Sequence, residues 1–374
     1  MVTLSSESES HSLSSSVSPF FIQRFGKSSD GVRQVKANWY CESLKFLADQ
    51  QAANILYQKQ PKRLTCKNCD ESLFDDSHHL TQFSKKNTLY LVCGRCGHLN
   101  GAHEDTEVFC AYLYQPQSEN SLTSTYQSVD PAQYCHRVSH IYRPKVQFLM
   151  DVLNAQSEDP RTLSYTDFGA GMGYFVSALS SAGLSDVHGR EVSPALIEMG
   201  KPFVPEGAIE PLASFDCVVE AIGNTKSDVV SMIGVLEHVR DPRGVLAAIQ
   251  KNPSIRYVYL SLPLFNFSVL FELMMASQNV MERQLIGGHT HLYTDESIAY
   301  FSKEFGLTRC GEWWFGADMM DLHRTMGITL RQNGAVDLAE RHLDAMLLPA
   351  LDGMQKAMDE KKLSSEVHLV LKKS

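Results

Sequence analysis

The seven residues "DFGAGMG", Asp167 to Gly173, constrain the fold of this 374-residue chain more than any other stretch. They follow a short run typical of a β-strand. They precede "GYFVSALSSAG", whose apolar spacing predicts a helix that ends at Gly183. Three glycines at alternate positions allow a sharp backbone turn and the close approach of a ligand. The N-terminus of the following helix would add unpaired N–H groups and a partial positive charge. The pattern therefore predicts a ligand-binding turn between a strand and a helix.

Predicted strands and helices alternate from Leu163 onward. "DVHGREV" predicts a strand, and "SPALIEMGK" predicts a helix with Ser193 as its cap and Pro194 at its first position. "DVVSMIGV" and "RYVYLSLP" predict strands on either side of a helix in "DPRGVLAAIQK", and "FDCVVEAI" also predicts a strand. "EVHLVLKK" predicts a final strand. Such alternation is typical of an α/β fold with a doubly wound, mostly parallel sheet.

An acidic residue ends the second strand of this series. Glu191 in "GREVSP" stands where nucleotide-binding α/β folds commonly hydrogen-bond the ribose hydroxyls of their ligand. The glycine spacing differs from the dinucleotide fingerprint, in which the third glycine comes three positions after the second. In this chain an aspartate leads and a glycine follows at every second position. The alternative interpretation is a tight structural turn beside a surface acid.

The series Asp-x-Gly-x-Gly-x-Gly resembles the first motif of the class I S-adenosylmethionine (SAM)-dependent methyltransferases. "GREVSP" resembles their second strand, "SDVVSMIGVLEHVRDP" their fourth-strand segment and "YVYLSLP" their fifth strand, all in the same order along the chain. The resemblance implies a Rossmann-like methyltransferase domain with a seven-stranded sheet and SAM as its cofactor. It also implies that the cofactor is bound by Asp167, Gly169, Gly171, Gly173 and Glu191, with Val235 beside the methionine end of the cofactor.

Four of the nine cysteines form two pairs with the same spacing. "CKNC" holds Cys66 and Cys69, and "CGRC" holds Cys93 and Cys96. Four thiolates suit tetrahedral Zn²⁺ and leave no open position on the ion, so the pattern predicts a structural zinc ribbon. The gap between the pairs is longer than in the commonest pattern, which an inserted β-hairpin would explain. The alternative is four unrelated thiols.

A zinc ribbon ahead of a methyltransferase domain resembles the layout of the sugar-modifying methyltransferases of deoxysugar and surface-polysaccharide pathways. That resemblance implies a small-molecule acceptor, in particular a nucleotide-linked sugar. The alternatives are an RNA or protein methyltransferase with a zinc ribbon and a catalytically inactive fold used as a binding module. The formal net charge of −9 argues against a nucleic-acid partner. "VLEHV" stands where amino-directed nucleic-acid enzymes often carry (D/N)-P-P-(Y/F), so it also favours the small molecule.

Three histidines are candidates for the base or for acceptor contacts. His238 in "VLEHV" follows the predicted fourth strand, at the edge where open α/β sheets place their sites. "HTHLYT" resembles a His-x-x-x-(F/Y)-(S/T) string that sugar and small-molecule methyltransferases often place in an acceptor-facing loop. His289 matches that histidine, and His291 would share its side of an extended segment. Gly287 and Gly288 would hinge the loop, which leads into a helix capped at Thr294. The alternatives are structural packing for His238 and ordinary loop histidines for the other two.

Composition and length indicate a globular chain with two modest domains. We predict a disordered Ser-rich tail over 1–30, a helical segment with the zinc ribbon over 31–115 and a linker over 116–140. The methyltransferase domain would cover 141–374. The first residues hold no apolar signal-peptide core, and the longest apolar run is too short to span a membrane. We therefore expect a cytoplasmic protein with reduced cysteines. The acceptor atom and the oligomeric state stay open.

Overall fold

The structure is a computed structural model that describes residues 21–29, 43–74, 81–114, 130–274, 285 and 289–374. The predicted glycine hinge at Gly287 and Gly288, residues 1–20 and 30 of the predicted tail, and residues 116–129 of the predicted linker lie outside the described residues. In the described part of the chain, no helix has the length and apolar character needed to cross a membrane.

Among the described residues, twelve strands form two sheets. They are β1 Ile22–Phe25, β2 Thr81–Lys85, β3 Thr88–Val92, β4 Leu99–Gly101, β5 Tyr165–Phe168, β6 Val187–Glu191, β7 Ile209–Pro211, β8 Val229–Ile233, β9 Tyr257–Pro263, β10 His291–Leu292, β11 Leu307–Phe315 and β12 Glu366–Lys373. The large sheet has the order β1-β11-β12-β9-β8-β5-β6-β7, and the small sheet has the order β10-β4-β3-β2. Strands β5 to β9 run parallel to one another in the large sheet, whereas β12 is antiparallel to both β9 and β11.

The large sheet has eight strands, so the expectation of seven is wrong. The additional strand is β1, which pairs in parallel with β11 from Ile22 opposite Gly311 to Phe25 opposite Trp314. The Trp313 indole fixes the end of β1 because its Nε1 donates a 2.8 Å hydrogen bond to the carbonyl oxygen of Gly26. The structure thus differs from the expected disordered tail at these residues, since an edge strand offers backbone partners to a neighbouring segment.

The described helices are α1 Ser43–Tyr57, α2 Glu107–Tyr114, α3 Pro131–Arg137, α4 Arg143–Ala155, α5 Tyr174–Ser181, α6 Pro194–Gly200, α7 Val218–Asn224, α8 Pro242–Lys251, α9 Phe267–Met274, α10 Asp295–Glu304, α11 Asp318–Gln332 and α12 Leu343–Glu360. Helix α3 lies within the predicted linker. The domain boundaries themselves stay predictions.

The segment "FDCVVEAI" is not the strand that its β-branched residues suggested, because it begins with a 3-10 turn and continues as α7. Val218 and Ile222 are four positions apart and both buried, which is the spacing of one helix face. The Asn252 amide stabilises the end of α7 by donating 2.8 Å hydrogen bonds to the carbonyl oxygens of Ile222 and Thr225. Tertiary packing therefore overrides the local strand propensity.

Apolar layers cover both faces of the large sheet. Along β9 the side chains alternate between two buried clusters, as a strand buried on both faces requires. Tyr257 and Tyr259 belong to the cluster that includes α4 and α5, whereas Val258 and Leu260 belong to the cluster that includes α8 and α10. This arrangement leaves the carboxyl ends of β5, β6, β8 and β9 at one edge, where open α/β sheets bind their ligands.

Candidate functional site

The glycine-rich turn follows β5 and leads into α5. Gly169, Gly171 and Gly173 have φ angles of +73°, +56° and +77°, all in the left-handed region that disfavours a side chain. A Cβ on Gly169 would lie 2.5 Å from Cγ2 of Val235, whereas nothing lies within 4 Å of the Cβ position of Gly171. Gly169 therefore allows two loops to meet, and Gly171 presents bare backbone to open space.

Glu191 lies at the end of β6 and is connected to this turn. One oxygen of its carboxylate accepts a 2.7 Å hydrogen bond from the N–H of Gly171, and the other accepts a 2.8 Å bond from the N–H of Ser193. The residue is 6% exposed, and burial raises the pKa of Glu191 while the backbone N–H groups oppose that rise. The carboxylate thus joins the glycine turn to the start of α6, which Ser193 caps as predicted.

Asp167 is buried at the carboxyl end of β5. The Ser231 hydroxyl on β8 donates a 2.6 Å hydrogen bond to Oδ1 of Asp167. Burial raises the pKa of Asp167 to about 7, and the bond from Ser231 opposes that rise. Asp167 therefore connects two central strands directly beneath the glycine turn.

The four predicted cysteine ligands come together. Their Sγ atoms all lie within 4.8 Å of one another, with 3.7 Å between Cys66 and Cys96 and 3.6 Å between Cys69 and Cys93. Four sulfurs placed about 2.3 Å from a central Zn²⁺ would be separated by about 3.8 Å, so the donor set fits a tetrahedral ion. We call residues 62–74 and 81–103, which carry the cysteines and strands β2 to β4, the four-cysteine unit.

Strand β10, which begins at the predicted site residue His291, is the edge strand of the sheet of the four-cysteine unit. His291 lies opposite Asn100 and Leu292 lies opposite Leu99 in an antiparallel pairing. His291 is fully buried, and its Nδ1 is 2.9 Å from Nε2 of His98. Burial lowers the pKa of both imidazoles, that of His98 to about 3. The prediction that His291 faces the acceptor stays a prediction, although its described contacts are those of a packed, neutral side chain.

His238 and His289 meet at the carboxyl edge of the large sheet. Their rings stack with centroids 5.3 Å apart and planes inclined by 22°. Glu237 joins them, because one ligand atom from each of the three side chains lies within 4.8 Å of the others. Glu237 is not among the site residues that the sequence pattern predicts. The signal that could have found it is the acid directly before His238 in "VLEHV".

Glu237 is 3% exposed and lies in a single turn, residues 236–238, that follows β8. Burial raises the pKa of its carboxyl to about 8. Within the described part of the chain, its Oε2 atom has no hydrogen-bond partner. A buried carboxyl oxygen without a hydrogen-bond partner is costly, so Glu237 is a candidate for an interaction that its described contacts do not supply.

Residues 134–309 match the family model described as "Methyltransferase domain". This part of the chain has the class I SAM-dependent methyltransferase fold. Comparison with curated proteins finds no match for the sequence.

Several solved structures are similar to this chain at low identity and low TM-score. Magnesium protoporphyrin IX methyltransferase from Synechocystis PCC 6803, with bound SAH, is 12% identical, covers 66% of this chain and 89% of its own, and has a TM-score of 0.40. A putative sarcosine dimethylglycine methyltransferase from Galdieria sulphuraria is 12% identical, covers 62% and 86%, and has a TM-score of 0.38. A chain from the complex between the Haloferax volcanii Trm112 methyltransferase activator and a putative methyltransferase is 13% identical. The match covers 64% of this chain and 92% of that chain, with a TM-score of 0.40. At this similarity they carry no argument about the acceptor.

A cavity in the methyltransferase fold lies beside the first residue of β12. Its polar lining includes Lys27, Arg137, Lys145, Gln355 and Glu366. Glu366 lies opposite Pro263 at the carboxyl end of β9, and one of its carboxylate oxygens accepts a 2.9 Å hydrogen bond from Ser261. The cavity therefore borders the same edge of the sheet as the glycine turn and Glu237.

Proposed function

We propose that this chain is a SAM-dependent methyltransferase whose cofactor lies over the glycine turn. The observation that carries the proposal is the connection between Glu191 and the N–H of Gly171 at the carboxyl edge of β6. Each Glu191 oxygen accepts one backbone bond and keeps a lone pair that can accept a ribose hydroxyl. The donor set and the bare backbone of Gly171 fit an adenosyl ligand.

The roles of the predicted cofactor residues differ in this proposal. Gly171 and Glu191 contact the cofactor, and Gly169 lets Val235 approach the turn so that Val235 borders the methionine end. Gly173 precedes α5 and fits closely against Val204 and Ile209. Asp167 supports the glycine turn from beneath, because its carboxyl oxygen accepts the hydrogen bond that joins β5 to Ser231 on β8. Cys66, Cys69, Cys93 and Cys96 hold a structural Zn²⁺.

The reaction needs a nucleophile in line with the sulfonium methyl group. A lone pair of the acceptor forms the new bond to the methyl carbon, the carbon–sulfur bond breaks, and its electron pair stays on the sulfur of S-adenosylhomocysteine (SAH). Because the cofactor is already activated, alignment of the acceptor supplies much of the rate acceleration. A hydroxyl acceptor also loses a proton, and His238 and His289 are the candidates to receive it or to bind the acceptor. Their rings stack, and the N–H of His238 donates a 2.9 Å hydrogen bond to the carbonyl oxygen of Val235.

We propose a small-molecule acceptor that carries an anionic group, of which a nucleotide-linked sugar is the leading case. The cavity beside β12 supports this choice, because it is lined by the cations Lys27, Arg137 and Lys145 against the acids Asp352 and Glu366. Lys145 is buried there, and burial lowers the pKa of its ammonium group while Glu366 opposes that effect, so a bound anion would favour the charged form. An RNA or protein acceptor and an inactive binding module remain the alternatives that the experiment must separate.

Two measurements test the proposal. Calorimetric titration with SAH should show binding to the wild type and at least tenfold weaker binding to Glu191→Ala. Glu198→Ala is the matched control, because Glu198 is an exposed acid on the neighbouring helix that pairs with Lys201. Transfer of a labelled methyl group from SAM should then be measured with a panel of nucleotide sugars, RNA and protein. Wild-type protein that binds no SAH would overturn the cofactor site, and transfer to RNA alone would overturn the small-molecule acceptor.

A further inference from the structure

We propose that Glu237, His238 and His289 form a binding site for a divalent transition-metal cation, with Mn²⁺ as its probe, on the acceptor side of the cofactor. The ion would be distinct from the zinc of the four-cysteine unit. Its binding stands on the geometry of this chain, whereas its role in catalysis rests on the proposed methyltransferase function.

The donor chemistry of the cluster is that of a metal site with open positions. Two imidazoles and one carboxylate offer ligand atoms that all lie within 4.8 Å of one another, close enough to share a single ion. Two histidines and one carboxylate bind divalent first-row metals on one face and leave the remaining positions for water or a substrate oxygen. The cysteine site has four protein ligands and therefore no such opening.

The contacts of Glu237 point to a missing positive partner. Its Oε1 atom is 3.9 Å from Nε2 of His238, which is beyond hydrogen-bonding distance. Its Oε2 atom has no hydrogen-bond partner among the residues that the structure describes, although the side chain is 3% exposed. Buried polar atoms are normally hydrogen-bonded or coordinate a metal, and a cation held jointly with the two histidines would satisfy this oxygen.

The scaffold holds both segments that carry the ligands. Glu237 and His238 occupy the turn after β8, and the next carbonyl, that of Val239, accepts a 3.0 Å hydrogen bond from Lys67 of the four-cysteine unit. His289 precedes Thr290, whose carbonyl accepts a 2.7 Å bond from the N–H of Gly101 in the same unit. The four-cysteine unit thus holds both segments that carry the three ligands. A metal site needs such support for a defined geometry.

The position of the cluster gives the ion a role in methyl transfer. Val235 contacts the glycine turn at Gly169 and lies two residues before Glu237. A metal at this point would bind the acceptor hydroxyl and lower its pKa, so that its proton passes to water. The oxygen lone pair would then form the carbon–oxygen bond, and the electron pair of the broken carbon–sulfur bond would stay on sulfur. The site therefore selects an oxygen acceptor.

Mn²⁺ binding to the zinc-loaded, full-length protein in the presence of SAH tests the site. Electron paramagnetic resonance should show one bound Mn²⁺ per chain, with spin-echo modulation from imidazole nitrogen. His289→Asn and Glu237→Gln should each weaken Mn²⁺ binding at least tenfold. His188→Asn is the matched control, because the exposed His188 also pairs with a carboxylate, that of Asp186, and should leave binding unchanged.

Two results would overturn the metal site: no bound Mn²⁺ in the wild type, or bound Mn²⁺ without nitrogen modulation. The second result needs no variant, so it decides the matter even if a substitution prevents folding. Glu191→Ala should retain Mn²⁺ while losing SAH. A failure of the cofactor site is thereby distinguished from a failure of the metal site.

Discussion

The ammonium group of Lys67 donates a 3.0 Å hydrogen bond to the carbonyl oxygen of Val239. Lys67 lies between the first two cysteines, and Val239 directly follows His238. Lys67 is buried and also pairs with Asp105, which accepts a 3.2 Å hydrogen bond from Arg63. This contact joins the four-cysteine unit to the turn that carries Glu237. We therefore expect a change in the unit to alter the position of that turn.

Lys67→Met tests that connection. Removal of the ammonium group leaves Asp105 buried with Arg63 as its remaining cationic partner, and we expect the free energy of unfolding to fall by about 2–3 kcal/mol. Methyl transfer should fall severalfold while the zinc content stays at one per chain. Denaturant unfolding and elemental analysis measure these quantities. Lys62→Met, which alters an exposed lysine of the same unit, should change neither, and equal losses in both variants would contradict the proposed connection.

Loss of the proposed zinc ligand Cys66 should lower the stability by more than a local change of one side chain. Cys66→Ser removes one of four thiolates, and we expect the free energy of unfolding to fall by more than about 4 kcal/mol with loss of the ion. Because β10 belongs to the sheet of this unit, Mn²⁺ binding at His289 should weaken as well. Calorimetry and elemental analysis give the two readouts. Cys135→Ser, at an exposed thiol, is the control, and normal stability of Cys66→Ser would refute a structural zinc site.

A Cβ at Gly169 should damage the turn in two separable ways. The φ of +73° makes alanine unfavourable, and the new methyl carbon would also meet Val235 at 2.5 Å. We expect Gly169→Ala to cost about 2–4 kcal/mol of stability and to weaken SAH binding. Gly183→Ala, with a φ of +85° and open space around the Cβ position, isolates the conformational cost at about 1 kcal/mol. If Val235→Ala does not partly rescue Gly169→Ala, the clash is not the cause.

The buried Asp167 predicts a pH dependence of stability. Its pKa is raised from 3.8 to about 7 by burial, so between these values the folded state binds more protons than the unfolded chain. Its contribution to the free energy of unfolding should therefore fall as the pH rises from about 4 to about 7, with a slope of at most about 1.4 kcal/mol per pH unit. Denaturant unfolding at several pH values measures it. Asp167→Asn should flatten this part of the profile, and an unchanged profile would show that Asp167 titrates normally.

Local chemistry made much of the fold and site predictable from the sequence. The turn at Gly169 and Gly171 depends on backbone freedom that only glycine provides, and both positions do have positive φ. The caps at Ser193 and Thr294 are satisfied by residues within three positions, so short patterns suffice to predict them. The two cysteine pairs could be predicted as metal ligands because their spacing in the sequence is typical of zinc sites.

Tertiary structure decided what depends on partners distant in sequence. The addition of β1 to the sheet edge, the helical form of Val218–Asn224 and the pairing of β10 with β4 arise from contacts that no local periodicity contains. The meeting of Glu237 and His238 with His289 has the same origin, because a crossover from β8 through β9 separates these segments. The sequence alone determined which residues could do chemistry, and long-range packing determined which of them lie together.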